Sequence, residues 1–132
     1  MYRIFVTRSL PGDALENIKD RFDVTVYPLD RTITKDELIT YLKDADALIS
    51  MLSDPIDKEV IDAGEKLKVI ANYAVGYNNI DVEAATNRGI AVVNTPDVLT
   101  EASADLAWGL LLTISRRLIK GDTSTRAGRI RG

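Results

Sequence analysis

Neither cysteine nor histidine occurs anywhere in this sequence. Without cysteine there is no disulfide framework and no thiolate chemistry, which suits a reducing compartment. Without histidine the commonest general base is missing, and with both absent the usual zinc ligand sets are gone. No apolar run approaches the ~18 residues needed to cross a bilayer. The opening Met-Tyr-Arg-Ile-Phe-Val moves straight into a strand-like run, with no signal-peptide core. A soluble, cytoplasmic chain without a membrane partner is expected. Also missing are Gly-x-Gly-x-x-Gly and the Walker-type Gly-x-x-x-x-Gly-Lys, the two common glycine-rich phosphate cradles.

What is present suits one folded domain. The 132 residues are 45% hydrophobic and 28% charged, enough to bury about two-thirds of the unfolded surface. The net charge of −3 is unevenly placed: residues 116–132 hold six cations (Arg116, Arg117, Lys120, Arg126, Arg129, Arg131) against Asp122, leaving −8 on the first 115 residues. Such a tail can signal nucleic acid, but no aromatic interleaving or recognition motif accompanies it. Arg116, Arg117 and Lys120 instead read as cations closing a helix, where they complement its dipole. The remaining arginines read as a stub or linker. No nucleic-acid partner is expected.

Five short β-branched runs recur about every 22 residues: Ile4-Phe5-Val6, Val24-Thr25-Val26-Tyr27, Ala47-Leu48-Ile49-Ser50, Val69-Ile70-Ala71-Asn72-Tyr73 and Ala91-Val92-Val93-Asn94. Each is continuous rather than alternating, as parallel strands covered on both faces should be. Helical stripes lie between them: Ala14, Leu15, Ile18 and Phe22; Leu38, Ile39 and Leu42; Val60, Ile61 and Leu67. Thr34 followed by Glu37 has capping-box spacing, and Gly64 and Gly89 stand where helices should end. Alternating β and α segments predict an α/β fold, a doubly wound five-stranded parallel sheet with helices on both faces. The flavodoxin-like order 2-1-3-4-5 fits five such units. From Ala102 to Leu118 a last helix places Leu106, Trp108, Leu110, Leu111, Leu112 and Ile114 around its whole circumference. A helix apolar on every side needs cover on more than one.

Two loops follow strands three and four on the edge where open α/β sheets bind ligands, and lie side by side if those strands are neighbours. Tyr73-Ala74-Val75-Gly76-Tyr77-Asn78-Asn79 places a glycine that permits positive φ or close backbone approach. The successive N–H groups of Val75, Gly76 and Tyr77 can form an anion-binding concavity; the same residues also suit a plain turn with an Asx cap. Met51-Leu52-Ser53-Asp54-Pro55 is less specific, since Ser53 or Asp54 suits the N-cap of a following helix. Thr100 and Asp105 sit early in the last helix, where a hydroxyl caps and an acid meets the dipole.

Residues 71–78, Ala-Asn-Tyr-Ala-Val-Gly-Tyr-Asn, and 94–117, from Asn-Thr-Pro-Asp-Val-Leu-Thr-Glu to Ser-Arg-Arg, resemble the NAD(P)-dependent D-2-hydroxyacid dehydrogenases, in particular their glyoxylate/hydroxypyruvate reductase branch. The resemblance implies residues 1–99 as a flavodoxin-like substrate-binding domain. It implies 100–120 as an apolar interdomain and dimerisation helix, and 121–132 as a tail cut before the dinucleotide-binding domain. It implies a small 2-oxo or 2-hydroxy acid held weakly by Leu52, Ser53, Val75 and Gly76, with the carboxylate on the backbone of Val75 and Gly76. It implies Thr100 as a cofactor contact once that second domain is present. NAD(P) belongs to the parent enzyme; none is expected on this chain, nor any metal or catalytic residue, since the family's acid/base and fingerprint positions lie beyond residue 132. A homodimer through helix 100–118 is expected, either by pairing or by exchange of the helix between copies.

A non-enzymatic flavodoxin-like module is the competing reading. A phosphoacceptor receiver needs an acidic pair after the first strand, where Thr7-Arg8-Ser9 stands, and a lysine after the fifth, where Asn94-Thr95-Pro96 stands. A flavin carrier needs a hydroxyl- and glycine-rich loop, which Leu10-Pro11-Gly12-Asp13 is not.

Overall fold

The architecture was read from a computed structural model, which describes residues 1–129. Arg131 of the basic tail lies outside the described residues. The chain divides into two compact units, residues 1–96 and the segment from Asp97 onward. The first unit alternates β1 (Arg3–Val6), α1 (Glu16–Lys19), β2 (Asp23–Val26), α2 (Lys35–Leu42), β3 (Ala47–Met51), α3 (Lys58–Ala63), β4 (Val69–Tyr73), α4 (Val82–Asn87) and β5 (Ala91–Val93). All neighbouring strands run parallel, in the order β2-β1-β3-β4-β5. This is the flavodoxin-like order expected from the sequence.

Register explains the core. Phe5 pairs with Leu48, Leu48 with Ile70 and Ile70 with Val92, so one apolar row crosses four strands on one face. Successive strand residues face opposite ways, and this row meets Leu38, Leu42, Val60, Ile61, Ala84 and Ala85 from α2, α3 and α4. Tyr41 stacks on Phe5 with ring centroids 4.4 Å apart. Because the chain moves the other way between β1 and β2, a right-handed crossover puts α1 on the opposite face. That helix has only four residues. Val6 and Leu15 are buried, but Ile49 and Ala71 are half-buried and Val93 is 49% exposed.

The stripe Ala14, Leu15, Ile18 and Phe22 thus yields one helical turn rather than a full helix. Leu15 caps it without a side-chain hydrogen bond, so nothing offsets the cost of nucleating a longer one. Gly12, at φ +68°, turns the chain just before it. By contrast α2 has its capping box: the Glu37 N–H reaches Thr34 Oγ1, and Thr34 N–H donates to Glu37 Oε2 at 3.0 Å.

The second unit contains α5 (Thr100–Ser115) and α6 (Leu118–Arg126). The sequence pattern predicts one long helix to Leu118; it ends at Ser115, and Arg117 takes a left-handed conformation, φ 53° and ψ 39°, before α6 begins. A left-handed turn ends a right-handed helix outright. The stretch after residue 120, expected to be linker, is helical to Arg126 and carries an Arg126–Asp122 pair at 2.9 Å. Lys120 therefore lies in the first turn of a new helix and does not close the old one. None of α5 is buried: Trp108 is 64% and Ile114 76% exposed. Among the described residues no helix is long and apolar enough to cross a membrane.

The capping box makes a pH prediction. Arg31, hydrogen-bonded to Glu37, and then the Thr34 N–H lower the Glu37 pKa from 4.5 to about 2. A depressed folded pKa contributes stability that is fully present above the unfolded value and lost as pH falls through the folded one. The urea midpoint should therefore drop between about pH 4.5 and 2, and drop less in Glu37→Gln. Equal drops in the two proteins would rule this contribution out.

Candidate functional site

The polar edge of the sheet is built where β3 and β4 end side by side. Their last pairs are Ser50 with Asn72 and Met51 with Tyr73. Pairing then continues past the strands. An isolated parallel bridge joins Ile56 to Ile80, with Ile56 N–H on the Asn79 carbonyl at 2.9 Å and Asp81 N–H on the Ile56 carbonyl at 2.8 Å. Both isoleucines are buried, so the loops after β3 and β4 are fastened to each other as well as to the sheet.

A buried polar network lies beneath them. Ser50 Oγ donates to Asn72 Oδ1 at 2.9 Å, and Asn72 Nδ2 donates to the Gly76 carbonyl at 2.8 Å and to Asn79 Oδ1 at 3.1 Å. Asn79 Nδ2 in turn reaches the carbonyls of Met51 at 3.1 Å and Asp54 at 3.0 Å. Asp54 is buried, accepting from the Thr7 hydroxyl at 2.5 Å and from Met51 N–H at 2.7 Å. Every one of these groups would be costly to bury unpaired.

Nothing in the sequence pattern marks Thr7, Ser50, Asp54, Asn72 and Asn79 as one set. Two of them carry a local signal: Ser50 and Asn72 are polar residues inside otherwise apolar strand runs. The sequence pattern offers Ser53 or Asp54 for the N-cap of α3. Asp57 holds that position, accepting from Val60 N–H at 3.1 Å, while Asp54 points into the network. Three more residues intervene before α3 because Ile56 must first complete its bridge.

The loop from Ala74 to Asn79 leaves three successive backbone donors without a protein partner among the described residues. Val75, Gly76 and Tyr77 are exposed, and among the described residues their N–H groups donate to no protein acceptor. Gly76 does not use the left-handed freedom that glycine permits. Its φ is not positive, and an added Cβ would meet only Asn78 Oδ1, at 3.5 Å. The glycine leaves the outer face of the loop open without relieving strain within it.

Leu52 and Val75, 71% and 40% exposed, stand on the two fastened loops with Ser53 and Gly76. Between the loops lies a groove of ≈ 490 Å³, lined by Ser53, Asp54, Pro55, Asn78, Asn79 and Asp81 among others. It takes in Ser53 but not Leu52, Val75 or Gly76. Its carboxylates are already engaged: Asp57 and Asp81 cap α3 and α4. Lys35 at 2.6 Å, and then Val60 N–H, hold the Asp57 carboxyl below the usual range. The groove thus holds carboxylates already committed to caps and an ion pair, while the N–H groups of Val75, Gly76 and Tyr77 stand apart from it without a protein partner among the described residues. A separate hollow of ≈ 290 Å³ between β1, β2 and α2 is lined by Arg3, Asp23 and Asp44, with Arg3 within 3.8 Å of each carboxylate.

Thr100, the fifth predicted contact, is the exposed first residue of α5 in the second unit, whose N-cap Leu99 makes no side-chain bond. The described residues do not fit a dinucleotide: no glycine-rich turn links a strand to a helix N-terminus, so no pyrophosphate cradle exists among them. They also contain no group of three His, Cys, Asp or Glu placed to hold a metal ion.

Comparison with known proteins shows the family. Residues 4–131 match the family described as D-isomer specific 2-hydroxyacid dehydrogenase, catalytic domain. A glyoxylate reductase of Thermococcus kodakarensis is 54% identical over 126 residues, 96% of this chain and 38% of the relative. A crystal structure of the TT0316 protein from Thermus thermophilus superposes with a TM-score of 0.85 at 44% identity, covering 98% of this chain and 42% of that one. An NAD⁺-bound 3-phosphoglycerate dehydrogenase of Entamoeba histolytica gives 0.70 at 33% identity, covering 85% and 38%. The chain thus spans well under half the length of these relatives.

Asn79→Ala should orphan the carbonyls of Met51 and Asp54 and the Asn72 amide, costing about 1–3 kcal/mol. Asn78→Ala, at an exposed position making none of these bonds, should stay within ~0.5 kcal/mol of wild type. Urea unfolding of both variants checks this. Equal stabilities would mean that water replaces the Asn79 amide without loss.

Proposed function

Since the chain belongs to the D-isomer specific 2-hydroxyacid dehydrogenase family, we propose that it is the substrate-binding domain of a cytoplasmic glyoxylate or hydroxypyruvate reductase. The whole protein would convert a 2-oxoacid to the D-2-hydroxyacid by hydride transfer from NAD(P)H. The observation that carries this is the set of outward N–H groups at Val75, Gly76 and Tyr77. It stands at the carboxyl end of β4, beside the loop holding Leu52 and Ser53, on the edge where such sheets take ligands. A 2-oxoacid carboxylate accepts from the Val75 and Gly76 N–H groups there, Ser53 offers a hydroxyl, and Leu52 supplies an apolar wall.

The chain supplies recognition and no turnover. Hydride transfer needs a held nicotinamide and a proton donor beside the carbonyl, and this sequence has neither histidine nor a dinucleotide fingerprint. Thr100 would meet the cofactor only beside a dinucleotide-binding domain of the whole protein. With glyoxylate and NADH the chain should show no oxidation of NADH, followed by its near-ultraviolet absorbance. Rate that persists after removal of trace host reductases would refute this. Oxalate should bind in the millimolar range or weaker, with amide shifts centred on Val75, Gly76 and Tyr77. Shifts centred on the arginines of the second unit would signify charge attraction alone.

Association is the second property proposed for the chain. Leu106, Trp108, Leu110, Leu111, Leu112 and Ile114 of α5 are each more than half exposed. Leaving such side chains wet forfeits roughly 1.5–3 kcal/mol apiece, and contiguous apolar surface of this kind drives self-association. Pairing of two copies through α5, side by side or by exchange, supplies the cover. Light scattering at micromolar concentration should give twice the 14.6 kDa chain mass. A clean monomer would remove α5 as a dimer surface.

A further inference from the structure

Four consecutive carbonyls of the recognition loop are each held from a different source. The Ala74 carbonyl accepts from Thr95 N–H at 2.9 Å, and the Tyr77 carbonyl from Ile80 N–H at 3.0 Å. The two between them are held by side chains: Val75 by Asn94 Nδ2 at 2.7 Å and Gly76 by Asn72 Nδ2 at 2.8 Å. In a planar trans peptide the C=O of one residue and the N–H of the next point in opposite directions, and no peptide bond here is cis. Gripping the Val75 carbonyl therefore aims the Gly76 N–H, and gripping the Gly76 carbonyl aims the Tyr77 N–H. No residue of the loop has a positive φ, so no left-handed turn presents these donors.

We propose that Asn94 and Asn72 are positioning residues for anion recognition, fixing through the Val75 and Gly76 carbonyls the direction of the Gly76 and Tyr77 N–H donors. The inference rests on the carboxylate reading of this loop. Each amide is oriented unambiguously, because only a nitrogen can face a carbonyl oxygen, and Ser50 donating to Asn72 Oδ1 reinforces that choice. The two residues come from different strands: Asn72 lies within β4, and Asn94 follows β5. The loop is thus clamped between them. They differ in one useful respect. Asn72 is buried in the network, whereas the Asn94 bond is exposed, so losing Asn94 should cost the fold little.

The test uses Asn94→Ala, with Asn94→Asp as a same-sized variant that cannot donate. Without any anion, the Gly76 N–H residual dipolar coupling should approach zero in both variants while couplings within β4 hold. The urea midpoint should match wild type in Asn94→Ala. Oxalate affinity should fall about tenfold in Asn94→Ala, ~1.4 kcal/mol, which is the scale of re-ordering one backbone residue. It should fall further in Asn94→Asp, where a carboxylate faces the same carbonyl. Asn94→Gln, which retains the donor, should recover part of the loss. An unchanged Gly76 coupling in Asn94→Ala overturns the positioning role, and a lost coupling with unchanged oxalate affinity overturns its link to recognition. A wild type that ignores oxalate sinks the carboxylate reading instead, a separate outcome because the coupling is read with no anion present.

Discussion

The parallel pairing of β3 with β4, carried past the ends of both strands, is the constraint on which the site depends. Five register pairs from Ala47–Val69 to Met51–Tyr73 bring two loops out at the same level. The Ile56–Ile80 bridge then closes behind them. Between these two fastenings the loops have little freedom, and the polar groups trapped there must satisfy one another. Asn79 does most of this, because one amide can serve two carbonyls and accept from a third partner at once. On the proposed reading, such a base would let the exposed backbone donors hold a direction without a ligand present and so lower the ordering cost of binding.

The same sheet is finished on one face and lightly covered on the other. Three helices close over the row Phe5, Leu48, Ile70 and Val92, while the opposite face has the single turn of α1. The continuous apolar strand runs anticipate cover on both faces, so the half-buried Ile49 and Ala71 are where that expectation meets a shorter helix. In the second unit, α5 carries its leucines and Trp108 in the open. The chain matches 38% of the length of the Thermococcus kodakarensis relative, and both units leave apolar side chains exposed.

Much of the fold was legible because its signals are local. Strand runs, the Thr34–Glu37 box and the glycines ending α3 and α4 depend on residues within a few positions of one another. The misplaced elements fail for the same reason. Nothing near Leu15 caps α1, and the left-handed Arg117 that separates α5 from α6 has no glycine to announce it. Asp57 rather than Ser53 or Asp54 caps α3 because Ile56 first bridges to Ile80, a residue far along the chain.

The sequence by itself determined the fold class, the strand count, the two loops and the family, since periodicity and short motifs need no distant partner. It could name Val75 and Gly76 as backbone donors but not say how they are aimed, and Gly76 does not use the positive φ that glycine permits. Only the tertiary structure decided that Thr7, Ser50, Asp54, Asn72 and Asn79 form one buried network, and that Asn94 reaches back 19 residues to the Val75 carbonyl. The physical reason is that hydrogen-bond partners are set by which strand ends lie side by side. That adjacency follows from the parallel register, not from spacing along the chain.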